Sequence, residues 1–289
     1  MIERVCIVGL GEVGRILVED LLKNSTVSIR VWDYQFASSA SPAAGNLRAL
    51  ASDPRVSNAK SAVDAARGCQ LVLSVVTADQ AVSAAESVVE GMLPGTLFVD
   101  LNSVSPGTKR ALSMLIERAG GRFVEAAVMS PILPARAASP ILLSGPHAAE
   151  FSDLGAKLGF SSMRAVSVQL GVASATKMCR SVIVKGIEAL VTESLLSARY
   201  YGVEDAVIGS LDNLFPGPDW PQHARYLISR SLQHGERRAS EMVEAARTVE
   251  EAGYSAWMSH ATVMRQAWAP QFAGALEQES LEGILDVIR

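Results

Sequence analysis

Lys177, Arg180 and Ser181 stand near the start of the longest helical run in the sequence, Gly171–Val203. Spacings of three and four put them on one helical face. Beyond them the run is apolar on nearly every side, the pattern of a helix buried inside protein. An amine in that position can do acid/base chemistry if its proton comes off near neutrality. Burial disfavours the ammonium, and so does a place in the first turns of a helix, where the dipole is positive. Arg180 pushes the same way. The alternative is a lysine whose stem lies on apolar surface while its charge reaches water.

A second constellation lies at the N-terminus. The apolar stretch Arg4–Val8 runs into Gly9-Leu10-Gly11-Glu12-Val13-Gly14 and then an amphipathic stretch to Lys23. This is G-x-G-x-x-G between a strand and a helix, the setting in which the pattern has meaning. Gly9 permits the turn, Gly11 lets a pyrophosphate approach the backbone, and Gly14 lets the helix pack closely. Asp33 ends the next strand, Val27–Trp32, 19 residues past Gly14. A carboxylate there accepts hydrogen bonds from an adenosine ribose and repels a 2′-phosphate, which favours NAD over NADP. Ser38, Ser39 and Ser41 follow, so NADP stays possible. The structural alternative for Asp33 is a solvated turn residue.

The elements that must position these groups follow in order. Apolar strands are expected at Leu71–Val76, Thr96–Leu101, Arg122–Val128 and Ile141–Ser144, with helical stretches between them. This alternation implies an N-terminal doubly wound Rossmann sheet. After Val168 the β signal stops, and Asp205–Leu214, Ala224–Gly253, Ser259–Trp268 and Ala275–Ile288 read as helices around a proline-rich break at Phe215–Pro221. The expected fold class is α/β followed by an all-α C-terminal domain. The domains are residues 1–168 and 169–289. Thr77 and Asn102 follow sheet strands on the side where open α/β sheets bind ligands, and are expected to touch the cofactor. Ser103 and Ser130 lie in similar places and are expected to touch substrate. Turn formation and helix capping are the structural alternative for Asn102 and Ser103.

Composition narrows the classes. The chain of 289 residues carries a net charge of −4, with 49% hydrophobic and 19% charged residues. That supplies no basic field for nucleic acid. Lys185, Glu188 and Glu193 interrupt the apolar run Val182–Ala198, which argues against a membrane span. The four histidines are dispersed and predict no metal site. Cys6, Cys69 and Cys179 lack metal or disulfide spacing and are expected as small buried hydrophobes. With strand residues starting at Arg4, no signal peptide is visible and a cytoplasmic location is expected.

In order, these features resemble the β-hydroxyacid dehydrogenases, the family of 3-hydroxyisobutyrate and 6-phosphogluconate dehydrogenases. The resemblance is carried by VCIVGLGEVG, by DLNSVSP at Asp100–Pro106, by EAAVMSP at Glu125–Pro131, and by the G-x-x-x-x-x-K of Gly171–Lys177. It is strongest to a divergent branch with its own type of helical C-terminal domain. The resemblance implies that Lys177 is the catalytic acid/base, in a cleft between domains, and that the chain is a homodimer whose helical domains pack together. It also implies an NAD(P)-dependent oxidoreductase acting on the hydroxyl or carbonyl of a small 3-hydroxyacid. The family's Ser-Gly-Gly falls here on Met129-Ser130-Pro131, and its substrate-binding asparagine on Arg180. Arg180, with Ser181 beside it, is suited to a substrate carboxylate or phosphate. The family's Lys-Asp pair falls near Ser240-Glu241, with Arg237 within a turn as a further substrate contact. Two alternatives share the fold: an imine or ketone reductase, whose proton-donor position is usually not lysine, and a non-catalytic nucleotide-binding scaffold.

Overall fold

The computed structural model describes residues 2–211, 217 and 219–288. The chain divides into two compact units, residues 1–177 and 178–289.

The first unit is an α/β sandwich. Its elements in order are β1 (Arg4–Val8), α1 (Glu12–Asn24), β2 (Ser28–Trp32), α2 (Pro42–Leu50), β3 (Val56–Asn58), α3 (Ala62–Ala66), β4 (Leu71–Ser74), α4 (Ala81–Val88), β5 (Leu97–Asp100), α5 (Pro106–Arg118), β6 (Arg122–Val128), β7 (Ile141–Ser144), α6 (Ala148–Ala156) and β8 (Met163–Ser167). Among the described residues the strands form one eight-stranded sheet, ordered β3-β2-β1-β4-β5-β6-β7-β8. All neighbours are parallel except β6 and β7, which run antiparallel. The order reverses direction between β1 and β4, which is where such sheets open a crevice for ligands.

The apolar strands are buried on both faces. In β1, Val5 and Ile7 join one core cluster while Cys6 and Val8 join the other. That is why these strands read as continuous hydrophobic runs without alternation. The sequence pattern misses α6 and β8. The latter, MRAVS, is half-buried to exposed along its length and lies at the sheet edge, so burial leaves little mark on it.

The long helix α7 (Val172–Tyr201) crosses the division after Lys177. The second unit continues with α8 (Glu204–Leu211), α9 (Trp220–Glu251), α10 (Trp257–Trp268) and α11 (Leu281–Ile288). The expected helix at Ala275–Ile288 is instead a 3-10 stretch to Glu277 followed by α11. Part of the expected proline-rich break (residues 215, 216 and 218) and the end of the expected helix at Asp205–Leu214 (residues 212–214) lie outside the described residues.

Within the single chain, α7 is not covered all round. Ile183, Ile187 and Leu190 are 65%, 41% and 55% exposed, while Lys185, Glu188 and Thr192 are buried. The helix turns its polar stripe inward, toward Arg238 on α9 and Gln266 on α10, both of which bond to Glu188. Uniform apolarity along a helix cannot say which face is covered; here polar partners on neighbouring helices decide it. Cys179 is also exposed, against expectation, whereas Cys6 and Cys69 are buried. Burial pushes the Cys69 thiol up to about 11, as expected for an inert core cysteine.

Candidate functional site

The glycine loop ends β1 at the sheet's switch point. Gly9 has φ +97°, and a Cβ there would lie 2.5 Å from the carbonyl oxygen of Val75. A Cβ on Gly14 would lie 2.0 Å from the carbonyl oxygen of Gly9, so the helix is packed hard on the loop. Gly11 is different: a Cβ there would meet nothing within 4 Å. The protein itself gives no reason for that glycine, and open space at the start of α1 fits a phosphate approaching the free N–H groups of a helix N-terminus. Glu12 and Val13 open that helix, with Gly11 as its N-cap.

Asp33 ends β2 and is 8% exposed. Its Oδ2 accepts the Leu10 N–H at 2.7 Å and its Oδ1 the Gln35 N–H at 2.8 Å. The carboxylate thus holds the middle of the glycine loop. Ser41, a residue that would help hold a phosphate, is spent as the N-cap of α2 and on the Gln35 carbonyl.

A second group of residues forms where β4, β5 and β6 end. Asn102 is 3% exposed. Its Oδ1 accepts the Val76 N–H at 2.7 Å, and its Nδ2 donates to Ser74 Oγ at 2.9 Å and to Asp100. Asn102 therefore splices the end of β4 to the end of β5. Thr77, next to Val76, is exposed at the head of a short 3-10 turn. Thr77 and Gln80 hydrogen-bond the Asp79 carboxyl, Gln80 the more strongly, and hold it below the ordinary carboxylate range.

Ser103 is half-buried, and its Oγ accepts a hydrogen bond from Lys177 Nζ at 2.6 Å. Residues 74 positions apart, picked out separately from the sequence, are brought together here. Ser130 is half-buried too, and its hydroxyl donates to the Pro131 carbonyl at 3.0 Å. On the far side of the division, Arg180 is exposed, and Ser181 is buried and accepts from Lys185 Nζ at 3.2 Å. Arg237 pairs with Glu241 at 3.0 Å, and Glu241 in turn pairs with Lys185 at 2.6 Å.

Sequence reasoning passes over three charged residues beneath the Lys177–Ser103 pair. Lys109, 1% exposed, donates to Asp100 Oδ2 at 2.6 Å, to the Asp100 carbonyl at 2.8 Å and to the Ala126 carbonyl at 3.3 Å. Burial pushes the Asp100 carboxyl up from its ordinary range, against the pull of Lys109 and Asn102. Glu125 is fully buried at the same level of the sheet. Among the described residues, no group of three or more His, Cys, Asp or Glu side chains is placed to hold a metal, and no helix is long and apolar enough to cross a membrane.

A doubly wound sheet with a nucleotide-type glycine loop at its switch point, and an amine on α7 set against a serine just past the end of β5, defines a dinucleotide-dependent enzyme class. Comparison with known proteins agrees. Residues 4–164 match the NAD binding domain of 6-phosphogluconate dehydrogenase, and residues 198–269 match a domain of unknown function, DUF1932. A conserved hypothetical protein from Sinorhizobium meliloti 1021 is 34% identical, with a TM-score of 0.76 over 100% of this chain and 96% of that one. The conserved protein MTH1747, of unknown function and structurally similar to 3-hydroxyacid dehydrogenases, is 29% identical, with a TM-score of 0.69 over 97% and 99% of the two chains. The mitochondrial 3-hydroxyisobutyrate dehydrogenase of Drosophila melanogaster is 24% identical over 74% of this chain and 64% of its own length. The chain belongs to the NAD(P)-binding 6-phosphogluconate dehydrogenase-like family, as a divergent β-hydroxyacid dehydrogenase-like oxidoreductase.

Proposed function

We propose that the chain transfers hydride between a nicotinamide cofactor and the hydroxyl or carbonyl carbon of a small 3-hydroxyacid-like substrate, with Lys177 as general acid/base. The observation that carries this reading is the 2.6 Å contact of Lys177 Nζ with Ser103 Oγ at the carboxyl end of the sheet. Gly9 to Gly14 would cradle the pyrophosphate, Asp33 the adenosine ribose, and Thr77 and Asn102 the walls beyond it. The bound nicotinamide supplies the hydride chemistry. In oxidation, Lys177 takes the hydroxyl proton; in reduction, its ammonium gives that proton to the carbonyl oxygen. Ser103 receives the lysine on a lone pair, so its own hydroxyl proton is left to bond a substrate oxygen. Ser130, Ser181, Arg180 and Arg237 are the proposed substrate contacts, with Arg180 for the carboxylate.

Asp33 repels a 2′-phosphate, so NAD is the proposed cofactor. The exposed apolar stripe of Ile183, Ile187 and Leu190 supports a homodimer, and the family resemblance a cytoplasmic enzyme.

The test is turnover of a hydroxyacid panel with NAD and NADP. Lys177→Ala is expected to lower kcat by about 10²-fold or more. Lys177→Arg should be equally poor, because a guanidinium does not release its proton. Retention of the wild-type rate in Lys177→Ala disproves the lysine assignment. A preference for NADP at equal concentration disproves the Asp33 argument. Cofactor binding without turnover of any hydroxyacid, ketone or imine favours the scaffold alternative.

A further inference from the structure

Asp100 and Glu125 are Cα partners in the register of β5 and β6, and both are fully buried. Two acids facing each other across adjacent strands destabilise a sheet. The bonds each acid makes show what this arrangement is used for.

Glu125 is spent on the helix that carries Lys177. Its Oε2 accepts the Gly171 N–H and its Oε1 the Ser174 N–H, both at 2.5 Å. At the end of β7, Ser144 Oγ accepts the Ala173 N–H at 3.2 Å. The first N–H groups of a helix have no partner within it, and here three of them go to side chains of β6 and β7. The anion also sits at the positive end of the helix dipole. Lys177 is three residues beyond Ser174, within the next turn.

Asp100 is spent on the other partner. It accepts from Asn102, the residue before Ser103, and from Lys109 Nζ, which also donates to the carbonyl of Ala126, next to Glu125. The bonds close into a ring: Glu125, the first turn of α7, Lys177, Ser103, Asn102, Asp100, Lys109 and back to the strand at Ala126. The backbone under Lys177 and the serine that meets its amine thus hang from two adjacent strands.

We infer that Glu125 is a positioning residue, fixing through the first turn of α7 the place where the Lys177 amine meets Ser103. For catalysis this rests on the proposed role of Lys177, whereas the positioning can be read without turnover.

The experiment is acylation of the folded protein with limiting acetic anhydride, followed by peptide mass spectrometry, for wild type, Glu125→Gln and Glu125→Asp. Exposed Lys23 and Lys157 serve as internal references, and buried Lys109 reports any general opening of the unit. Glutamine keeps the shape but turns an NH₂ toward a backbone N–H. In Glu125→Gln, Lys177 should label about 3- to 10-fold faster relative to Lys23 and Lys157, the loss expected for one hydrogen bond, with Lys109 still protected. Aspartate keeps both acceptor oxygens and should give a smaller increase. In a turnover assay with 3-hydroxyisobutyrate, kcat of Glu125→Gln should fall about 10- to 100-fold, the scale of a displaced catalytic group. The KM for NAD should stay within about threefold, because the glycine loop hangs from other elements. If Glu125→Gln does not fold, Ser144→Ala, which removes the acceptor of the Ala173 N–H, should give the same pattern.

Unchanged Lys177 labelling overturns the inference. So does labelling of Lys177 and Lys109 that rises together, since Glu125 would then only hold the unit closed. Wild-type turnover in Lys177→Ala would instead overturn the catalytic reading and leave the labelling result standing.

Discussion

At the end of β5, in the middle of β6 and on α5, Asp100, Glu125 and Lys109 are each no more than 1% exposed, and every side-chain oxygen and the ammonium has a hydrogen-bond partner. The polar interior of the helical unit is built differently. Glu188 receives Arg238 and Gln266, yet the Nε atoms of Arg230 and Arg238, Oε1 of Gln266 and Oγ of Ser231 are buried with no partner among the described residues. A satisfied network admits one arrangement and pins the groups attached to it; a partly satisfied one leaves several arrangements close in energy. The first kind lies under the Lys177–Ser103 pair, where the proposed proton transfer would require positions held to fractions of an ångström. The second reaches, through Arg230, Ser231, Arg238 and Gln266, into the part of the chain that matches a domain of unknown function.

The largest expected effect comes from breaking the satisfied network. Lys109→Met leaves Asp100 buried without its cation and facing Glu125. The loss should be about 3–5 kcal/mol in urea unfolding at pH 7. Acid should relieve it. A carboxyl whose folded pKa is raised contributes stability that is fully present below its unfolded value, near 4, and is lost as pH rises through the folded value. The deficit of Lys109→Met relative to wild type should therefore be smaller at pH 5 than at pH 7. A loss under about 1 kcal/mol at both pH values would show that the strand-end network is no tighter than the helical one.

The frame of this site was legible in the sequence for definite reasons. The glycine loop, Asp33 and Lys177 occupy fixed offsets from strand and helix boundaries, and buried parallel strands leave unbroken apolar runs. Ser103 and Lys177 could be singled out separately, but their contact could not be read from spacing. The Asp100–Lys109–Glu125 group was hidden because an acid at the end of an apolar strand, such as Asp100, looks like the start of a loop, and a lone acid within a strand, such as Glu125, looks like a solvent-facing position. Only the strand register brings Asp100 and Glu125 side by side, and only the α5 crossover brings Lys109 to Asp100 and to the Ala126 carbonyl next to Glu125. The polar inner stripe of α7 was hidden for a related reason: Lys185 and Glu188 look like ordinary surface charges until Glu241 and Arg238 arrive from another helix.

A middle-sized effect should appear at the bend of α9. His234 has non-helical φ and ψ, and the next residue, Gly235, packs so closely that a Cβ would lie 2.3 Å from the Gln266 carbonyl oxygen. Arg230 Nη1 lies 2.9 Å from His234 Nε2. Arginine has no acceptor, so that nitrogen is the acceptor and the ring is neutral. Burial, followed by the charges of Arg230, Arg237 and Arg238, lowers the imidazole to about 4, with Glu241 opposing. A base whose folded pKa is depressed contributes stability present above its unfolded value, near 6.5, and lost as pH falls through that value toward about 4. Between pH 7.5 and 4.5, wild type should lose a few degrees more in Tm than His234→Gln, a modest difference because the ring is only half-buried. Equal losses would mean that the bend carries no charge strain.

The smallest effect is the sharpest test of the contrast, because one substitution is made in each network. Ser231 is fully buried on α9, and its Oγ has no partner among the described residues. Ser231→Ala removes a desolvated hydroxyl and should raise stability by up to about 1 kcal/mol. Ser144 is equally buried, but its Oγ receives the Ala173 N–H. Ser144→Ala strands that donor and should cost about 1 kcal/mol or more. The same deletion thus has opposite signs in the two units, read as urea midpoints at equal slope. If both substitutions cost the same, Ser231 has a hydrogen-bonded role after all, and the helical interior is as fully satisfied as the strand-end ring.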